Sequence, residues 1–387
     1  MAQLDMTPTR EGNALTGIIS WIGRVFIAVI IPLSAFVVIY YGFIFLRDSA
    51  APRWVIASVA IVWGVGGIAL LYWVFNSIVE RLPDLWRVRL LPFVFVGPAV
   101  AILLWYLTIP VFRTFWLSLF GRDGPPRGAG FLEALQSDSF VGLTNYVTLF
   151  SERLLQEAMR NNLMWIVIGS TLSVTFGLLV AVLADRSKFE RVSKSLIFLP
   201  MAISFVGASV IWNFIYEIRP VDSPQIGLLN AIIAATGGQP HPWDKWIDII
   251  PWNNLFLIVI VIWLQTGYSM VLFSAALKGI PEEIIEAARV DGASEIKVFI
   301  GIMIPYIMGT IITVWTTIVI FTLKIFDVVW VMTGGQFGTH VIATQFYRQS
   351  FTARNSGVGS AIAIVLLFAV VPVMIYNLRQ FRRTEAF

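Results

Sequence analysis

Residues 278–301 read KGIPEEIIEAARVDGASEIKVFIG. This charged, interrupted stretch lies between two apolar runs, Leu255–Leu277 and Ile302–Leu323. Pro281 suits the first turn of a helix, where its missing N–H leaves nothing unsatisfied. Glu282 and Glu283 follow in that turn, where carboxylates favour the positive end of the helix. Ile284, Ala287 and Ala288 fall at i, i+3, i+4, a narrow stripe whose small residues permit close approach of another surface. Gly292 ends the helix as a residue that takes positive φ without strain. Ser294 can cap a second helix, with Ile296, Phe299 and Ile300 as its apolar stripe. The segment thus reads as a short helix, a glycine turn and a second helix entering the next apolar run. It is either a surface helix that ties two spans or a docking helix for another protein. Its stripe is too weak for a membrane anchor.

Outward from that stretch, the chain has 387 residues, 58% hydrophobic and only 13% charged, with mean hydropathy +0.80. Soluble proteins carry about 25% charged residues, so the composition selects an integral membrane protein. The absence of Cys excludes disulfides, thiolate metal sites and Cys nucleophiles. His241 and His340 are too far apart in sequence to suggest a metal centre, and a net charge of +4 gives no nucleic-acid signal. Spans need about 20 apolar residues. The apolar stretches are Val25–Leu46, Trp54–Phe75, Leu90–Leu119, Leu163–Ala184, Leu196–Tyr216, Leu255–Leu277, Ile302–Leu323 and Val358–Tyr376. The expected fold is therefore an all-α polytopic membrane protein with eight transmembrane helices. The third stretch, with Pro92, Pro98, Pro110 and Arg113, is expected to kink. Three parts are expected: 1–89 with two extra helices, 90–162 with the third helix and an external loop, and 163–387 as the core.

With the N-terminus cytoplasmic, fifteen of the 27 Lys and Arg fall on the inner side. They include Arg10, Arg24, Arg81 and the knot Arg186–Lys194, in short connections abutting spans, which favours N-in and C-in. Leu149, Leu154, Leu155 and Met159 suggest an amphipathic surface helix on the outer side. Trp243, Trp246 and Trp252 read as an interfacial aromatic belt or, alternatively, a sugar-stacking group. Lys324 and Asp327 are either an intramembrane functional pair or a mutual ion pair at the membrane edge.

The run Glu286-Ala287-Ala288, three residues, Gly292, nine residues, then Ile302-x-Ile304-Pro305 resembles the EAA signature of ABC importer permease subunits. That signature ends I-x-L-P, so Ile304 is a conservative departure. DGAS, FVGLTNY and FDVVWVMTGG resemble the sugar-type permeases, in particular the larger maltose-type subunit. The resemblance covers Phe140 to the C-terminus and places the 278–301 loop in the cytoplasm of a bacterial or archaeal cell, beneath the inner membrane.

The resemblance implies a subunit without catalysis or cofactor of its own. Its implied partners are two cytoplasmic ATP-binding subunits, a second permease subunit, an extracytoplasmic solute-binding protein and membrane lipid. Coupling to the ATPase then falls to Glu286, Ala287, Ala288 and Gly292, with Asp291 and Pro305 flanking. Solute contacts fall to Leu264, Gln265 and Tyr268, and to Ile318, Phe321, Thr322 and Ile325; Gln265, Thr322 and Ile325 depart from the family residue type. Gln265 and Tyr268 are i, i+3 neighbours that suit either a polyol or an interhelical hydrogen bond. The implied solute is a neutral sugar such as maltose or another α-glucoside, with a polyol or glycerol phosphate as the alternative. An ion-coupled secondary transporter would need ionisable residues inside the spans, and almost none are there. A membrane enzyme would need a catalytic constellation that is absent: no HExxH, GxSxG or nucleotide-binding loop occurs.

Overall fold

A computed structural model describes residues 33–80, 84–220 and 222–384. Residues 1–24 and 25–32 of the first apolar stretch, together with Arg81, lie outside the described residues. The described chain is helical almost throughout, and its only β pairing among the described residues is an isolated Phe120–Phe140 bridge. Two compact units form, Met1–Pro110 and Val111–Phe387.

In the first unit, residues 33–48 form α1, followed by α2 (Arg53–Val79) and α3 (Asp84–Leu103). Pro92 and Pro98 lie inside α3, and the chain departs from α geometry at a π-helical turn, Leu104–Thr108. Pro110, just past the turn, has no N–H to pair with the Tyr106 carbonyl inside it, which opens the α ladder there. The helix resumes as α4 (Ile109–Ser118).

In the second unit, α5 (Phe131–Gln136) and α6 (Thr144–Ser151) precede α7 (Arg153–Met164). A π turn joins α7 to α8 (Thr171–Asp185), so the expected amphipathic helix runs directly into the fourth span as one 33-residue helix. The centre of the unit is α12 (Asn254–Lys278), long enough to cross a bilayer. α8 lies against it closely: a Cβ on Gly177 would stand 2.2 Å from Ser269 Cβ, so only glycine permits this crossing. Val174, Ala181, Met270, Phe273 and Leu277 fill the seam.

Two stretches expected as single spans are broken. α9 (Glu190–Phe198) ends in a 3-10 turn at Leu199–Ala202, and α10 (Phe205–Tyr216) leaves at 101°. Pro200 sits in that turn, and the Ser204 hydroxyl caps the new helix by accepting from the Gly207 N–H at 3.0 Å. At 12 residues, α10 is about 18 Å long, short of the ~30 Å hydrocarbon core. The second break follows Pro305: α14 (Glu295–Val298), a π turn and α15 (Ile304–Tyr306) form one arm, and α16 (Met308–Leu323) leaves it at 69°. Four helices among the described residues are long and apolar enough to span, or seven if each bent pair counts as one span.

The remaining elements are α11 (Leu228–Ala235), α13 (Glu282–Val290), α17 (Asp327–Thr333), α18 (Ile342–Tyr347) and α19 (Ser356–Thr384). Large apolar side chains such as Phe112, Leu183, Phe214 and Phe368 are two-thirds exposed. Such a surface suits lipid and not water.

Candidate functional site

The two ends of α12 carry different chemistry. At its Lys278 end lies the 278–301 loop. Pro281 precedes α13, Gly292 takes φ +81°, and Ser294 caps α14 by accepting from the Lys297 N–H. The expected apolar stripes point the other way, however. Ile285 and Val298 pack inward, whereas Ile284, Ile296 and Ile300 are 41%, 72% and 59% exposed. The loop docks through Ile285 onto Leu277 and Ile280, which turns the other face outward. That outward face carries Glu286, Ala287, Val290, Asp291 and Gly292, all exposed, with Ala288 half-buried at its margin. Pro305 stands apart from them, at the start of α15 where the arm breaks.

Charge pairs tie this loop to the spans. Glu295 accepts from Arg289 at 2.8 Å within the loop and from Arg186 at the end of α8 at 2.9 Å. Lys194 pairs with Asp185 and, at 2.6 Å, with Glu190, which also receives Lys278. The Ser274 hydroxyl donates to Asp185 at 2.8 Å. The basic knot is thus a junction joining α8, α9, α12 and the loop. Its charged cleft of about 360 Å³ is lined by Asp185, Arg186, Lys278 and Glu282 among others.

The seven residues assigned to the solute separate into two groups. Leu264, Ile318, Thr322 and Ile325 are 2%, 1%, 0% and 2% exposed, so in this conformation they pack against protein. The Thr322 hydroxyl lies 3.2 Å from that of Ser170 and donates to the Val319 carbonyl. Gln265, Tyr268 and Phe321 remain partly exposed. Neither Gln265 nor Tyr268 makes a side-chain hydrogen bond among the described residues, so none of those residues is an interhelical partner for either. Phe321 stacks on Phe205 at 4.6 Å. Because α16 begins at Met308 and ends at Leu323, Thr322 lies fourteen residues along it, about 21 Å, one residue before its last.

The opposite end of α12 is built from buried amides that the sequence reading missed. Asn161 donates to the carbonyls of Gly338 and His340 at 2.8 Å each. Asn162 donates to Leu323 at 3.3 Å and accepts from the Ile342 N–H at 2.7 Å. Asn253 donates to Phe337 at 2.8 Å. These clamps hold a tight loop in which Gly334, Gly335, Phe337 and Gly338 all have positive φ. Asn pairs placed at the starts of two spans are the signal that could have found them.

Two further expectations at this end are corrected. Trp243 packs against the core cluster and donates to Asn230 at 3.1 Å, so it is not a belt residue. Trp246 stacks on His241 at 4.4 Å, and Trp252 is 58% exposed. Lys324 and Asp327 form no ion pair: Lys324 ends α16, Asp327 starts α17, and both are exposed. Burial pushes the Asp244 carboxyl up to about 6 and holds His340 down to about 4. One Asp244 oxygen has no partner.

Residues 173–384 match the family described as binding-protein-dependent transport system inner membrane component. The chain is 47% identical over 293 residues to the alpha-glucoside transport system permease protein AglF of Rhizobium meliloti, covering 76% of this chain and 82% of that protein. It is 49% identical over 291 residues to the osmoprotective compounds uptake permease protein GgtC of Synechocystis, covering 75% and 99%. A chain from a bacterial ABC transporter involved in the import of the acidic polysaccharide alginate shares the fold. Its TM-score is 0.63 at 19% identity, covering 78% of this chain and 99% of that one.

Proposed function

The chain belongs to the binding-protein-dependent transport system inner membrane component family, and on that premise we propose how its two ends divide the work of a sugar importer. It is a permease subunit of a sugar-type ABC importer. In the proposed topology eight helices cross the cytoplasmic membrane of a bacterium or archaeon, with both termini inside. Two ATP-binding subunits dock on the inner face, a second permease completes the pathway as a heterodimer, and an external binding protein delivers the solute. The orientation is supported by the concentration of Arg186, Lys188, Arg191, Lys194, Lys278, Arg289 and Lys297 at one end and of neutral amides at the other.

The observation that carries the coupling role is the outward face of α13. Glu286 and Ala287 are exposed on a helix whose opposite side is seated on α12. Small residues let an ATPase surface approach closely, and Glu286 can accept from a cationic or amide group there. Gly292 sets the angle between α13 and α14. Glu295 then passes motion on, because Arg186 joins it to α8 while Arg289 joins it to α13. ATP hydrolysis occurs in the partner chain, and this chain supplies the lever and the passage.

For the solute, Gln265, Tyr268 and Phe321 are the residues of the seven with exposed surface. An amide, a phenol and an aromatic face suit a polyhydroxylated ring. None of the seven is cationic, which favours a neutral α-glucoside over glycerol phosphate. Leu264, Ile318, Thr322 and Ile325 shape the wall behind them. The likeness to GgtC supports a second reading, uptake of an osmoprotective compound, for which a polyol is the candidate these side chains suit. The test is ATP-dependent uptake of radiolabelled sugars and polyols by the reconstituted complete transporter. Gln265→Ala with Tyr268→Ala abolishes uptake while the ATP-binding subunits still co-purify. Unchanged uptake kinetics in that variant would move the path elsewhere.

A further inference from the structure

Four aromatic rings form a contact chain beside the asparagine clamps, outside the hydrophobic cores. Phe326 and Trp330, four residues apart across the start of α17, stack at 5.4 Å. Tyr347 at the end of α18 meets Trp330 at 4.6 Å and Phe326 at 5.5 Å. Phe351, one turn on, lies 5.1 Å from Tyr347. Tyr347 and Phe351 are 36% and 61% exposed, and Phe326 and Trp330 are half-buried. The rim of this surface is charged. Lys324, Asp327 and Arg348 are all exposed, and among the described residues none of the three side chains has a hydrogen bond or ion pair.

Those charges decide what the surface meets. Unpaired Lys, Asp and Arg side chains are expensive in hydrocarbon, so the face does not lie within the bilayer core. Lys and Asp, unlike Arg, are also depleted from protein interfaces. Aromatic faces ringed by free donors and acceptors suit a ligand with an apolar face and a polar edge, and a pyranose has both. The surface is also fixed in advance. Asn162 holds Leu323 and Ile342, on either side of α17, by hydrogen bonds of 3.3 and 2.7 Å, so little ordering is needed on binding. In the chain it follows Phe321, three residues before Lys324, where the proposed solute path begins.

We propose that Phe326, Trp330, Tyr347 and Phe351 form an outer platform that takes a pyranose ring of the solute from the binding protein and passes it to Phe321. Lys324, Asp327 and Arg348 hydrogen-bond its hydroxyls. The proposal rests on the transport reading above, but its site is separate from Gln265 and Tyr268.

The test uses the complete transporter in proteoliposomes, saturated with binding protein loaded with maltose or maltotriose, and reads sugar transported per ATP hydrolysed. Trp330→Ala and Tyr347→Ala are expected to lower that ratio by about threefold to tenfold, the range of a lost aromatic contact, and more for maltotriose. Trp330→Phe restores most of it, and Asp327→Asn lowers it without removing a ring. An unchanged ratio in all four variants overturns the platform. So does an unchanged ratio with a higher binding-protein concentration for half-maximal ATPase stimulation, which would make the face a protein dock. Loss of the second permease on purification also overturns it, as would follow from a subunit interface. If Gln265→Ala with Tyr268→Ala transports normally while Trp330→Ala lowers the ratio, the inner path assignment fails and the platform stands.

Discussion

The two ends of α12 are held by opposite means. At the Lys278 end, charges pair in two groups: half-buried Asp185, Glu190 and Lys194 with exposed Lys278, and exposed Glu295 with Arg186 and Arg289. At the Asn253 end, buried neutral amides fix a glycine-rich loop through backbone carbonyls. Exposed pairs are weak and screened by salt, so the Glu295 links to Arg186 and Arg289 can change partners at small energetic cost. Buried amides leave unsatisfied groups when broken, so the other end keeps one geometry. The proposed coupling face at one end and solute mouth at the other would use that asymmetry.

Removing a clamp breaks the comparison with the largest expected effect. Asn162→Ala strips hydrogen bonds from the Leu323 carbonyl and the Ile342 N–H and costs about 2–5 kcal/mol of stability. Thermal unfolding in detergent measures this as a large fall in midpoint that salt does not alter. Gly292→Val at the charged end forces a β-branched residue into φ +81° and costs about 1–3 kcal/mol. There the main loss is in uptake, at least tenfold by tracer assay, with ATP hydrolysis persisting.

Asp244 sharpens the comparison from within the rigid end, with the opposite sign. Its carboxyl, raised to about 6 by burial, takes up a proton more readily folded than unfolded. The folded state is therefore favoured below the ordinary carboxylate range and loses that advantage as pH rises toward 6. Asp244→Asn removes the buried charge and is expected to raise stability at pH 7 by about 1–3 kcal/mol, read as a higher unfolding midpoint, and to flatten its dependence between pH 4 and 6. The smallest effect on stability belongs to Glu295→Gln, whose partners are exposed. Its unfolding midpoint is expected to stay at the wild-type value while sugar transported per ATP falls, and Arg186→Glu with Glu295→Arg recovers part of that coupling.

Much of the charged end was legible in sequence because its signals are local. Pro281, the paired glutamates, Gly292 and Ser294 fall in helix-start and helix-stop positions within one short segment. The α2, α12 and α19 spans were legible from continuous hydropathy alone. The breaks were not, because Pro200 and Pro305 lie inside runs whose apolar character continues across them. The sequence stripe at Ile284 and Ile296 misread which face packs, since Ile285 packs on the cluster that holds Leu277 and Val298 is buried, through tertiary contacts that no helical period reveals. The asparagine clamps were invisible for the same reason: Asn161 and Asn162 bond residues almost 180 positions away. For the solute residues, local helix position did not separate Tyr268 and Phe321, partly exposed, from Thr322, which Ser170 covers.

The central claim is that α13 faces an ATPase on the inner aqueous side, and the cysteine-free sequence allows a direct check. Ala287→Cys provides a single thiol for a membrane-impermeant maleimide. Labelling is expected in inverted vesicles stripped of the ATP-binding subunits, with protection when they are added back and no reaction from outside intact cells. Labelling of intact cells from outside would contradict the account.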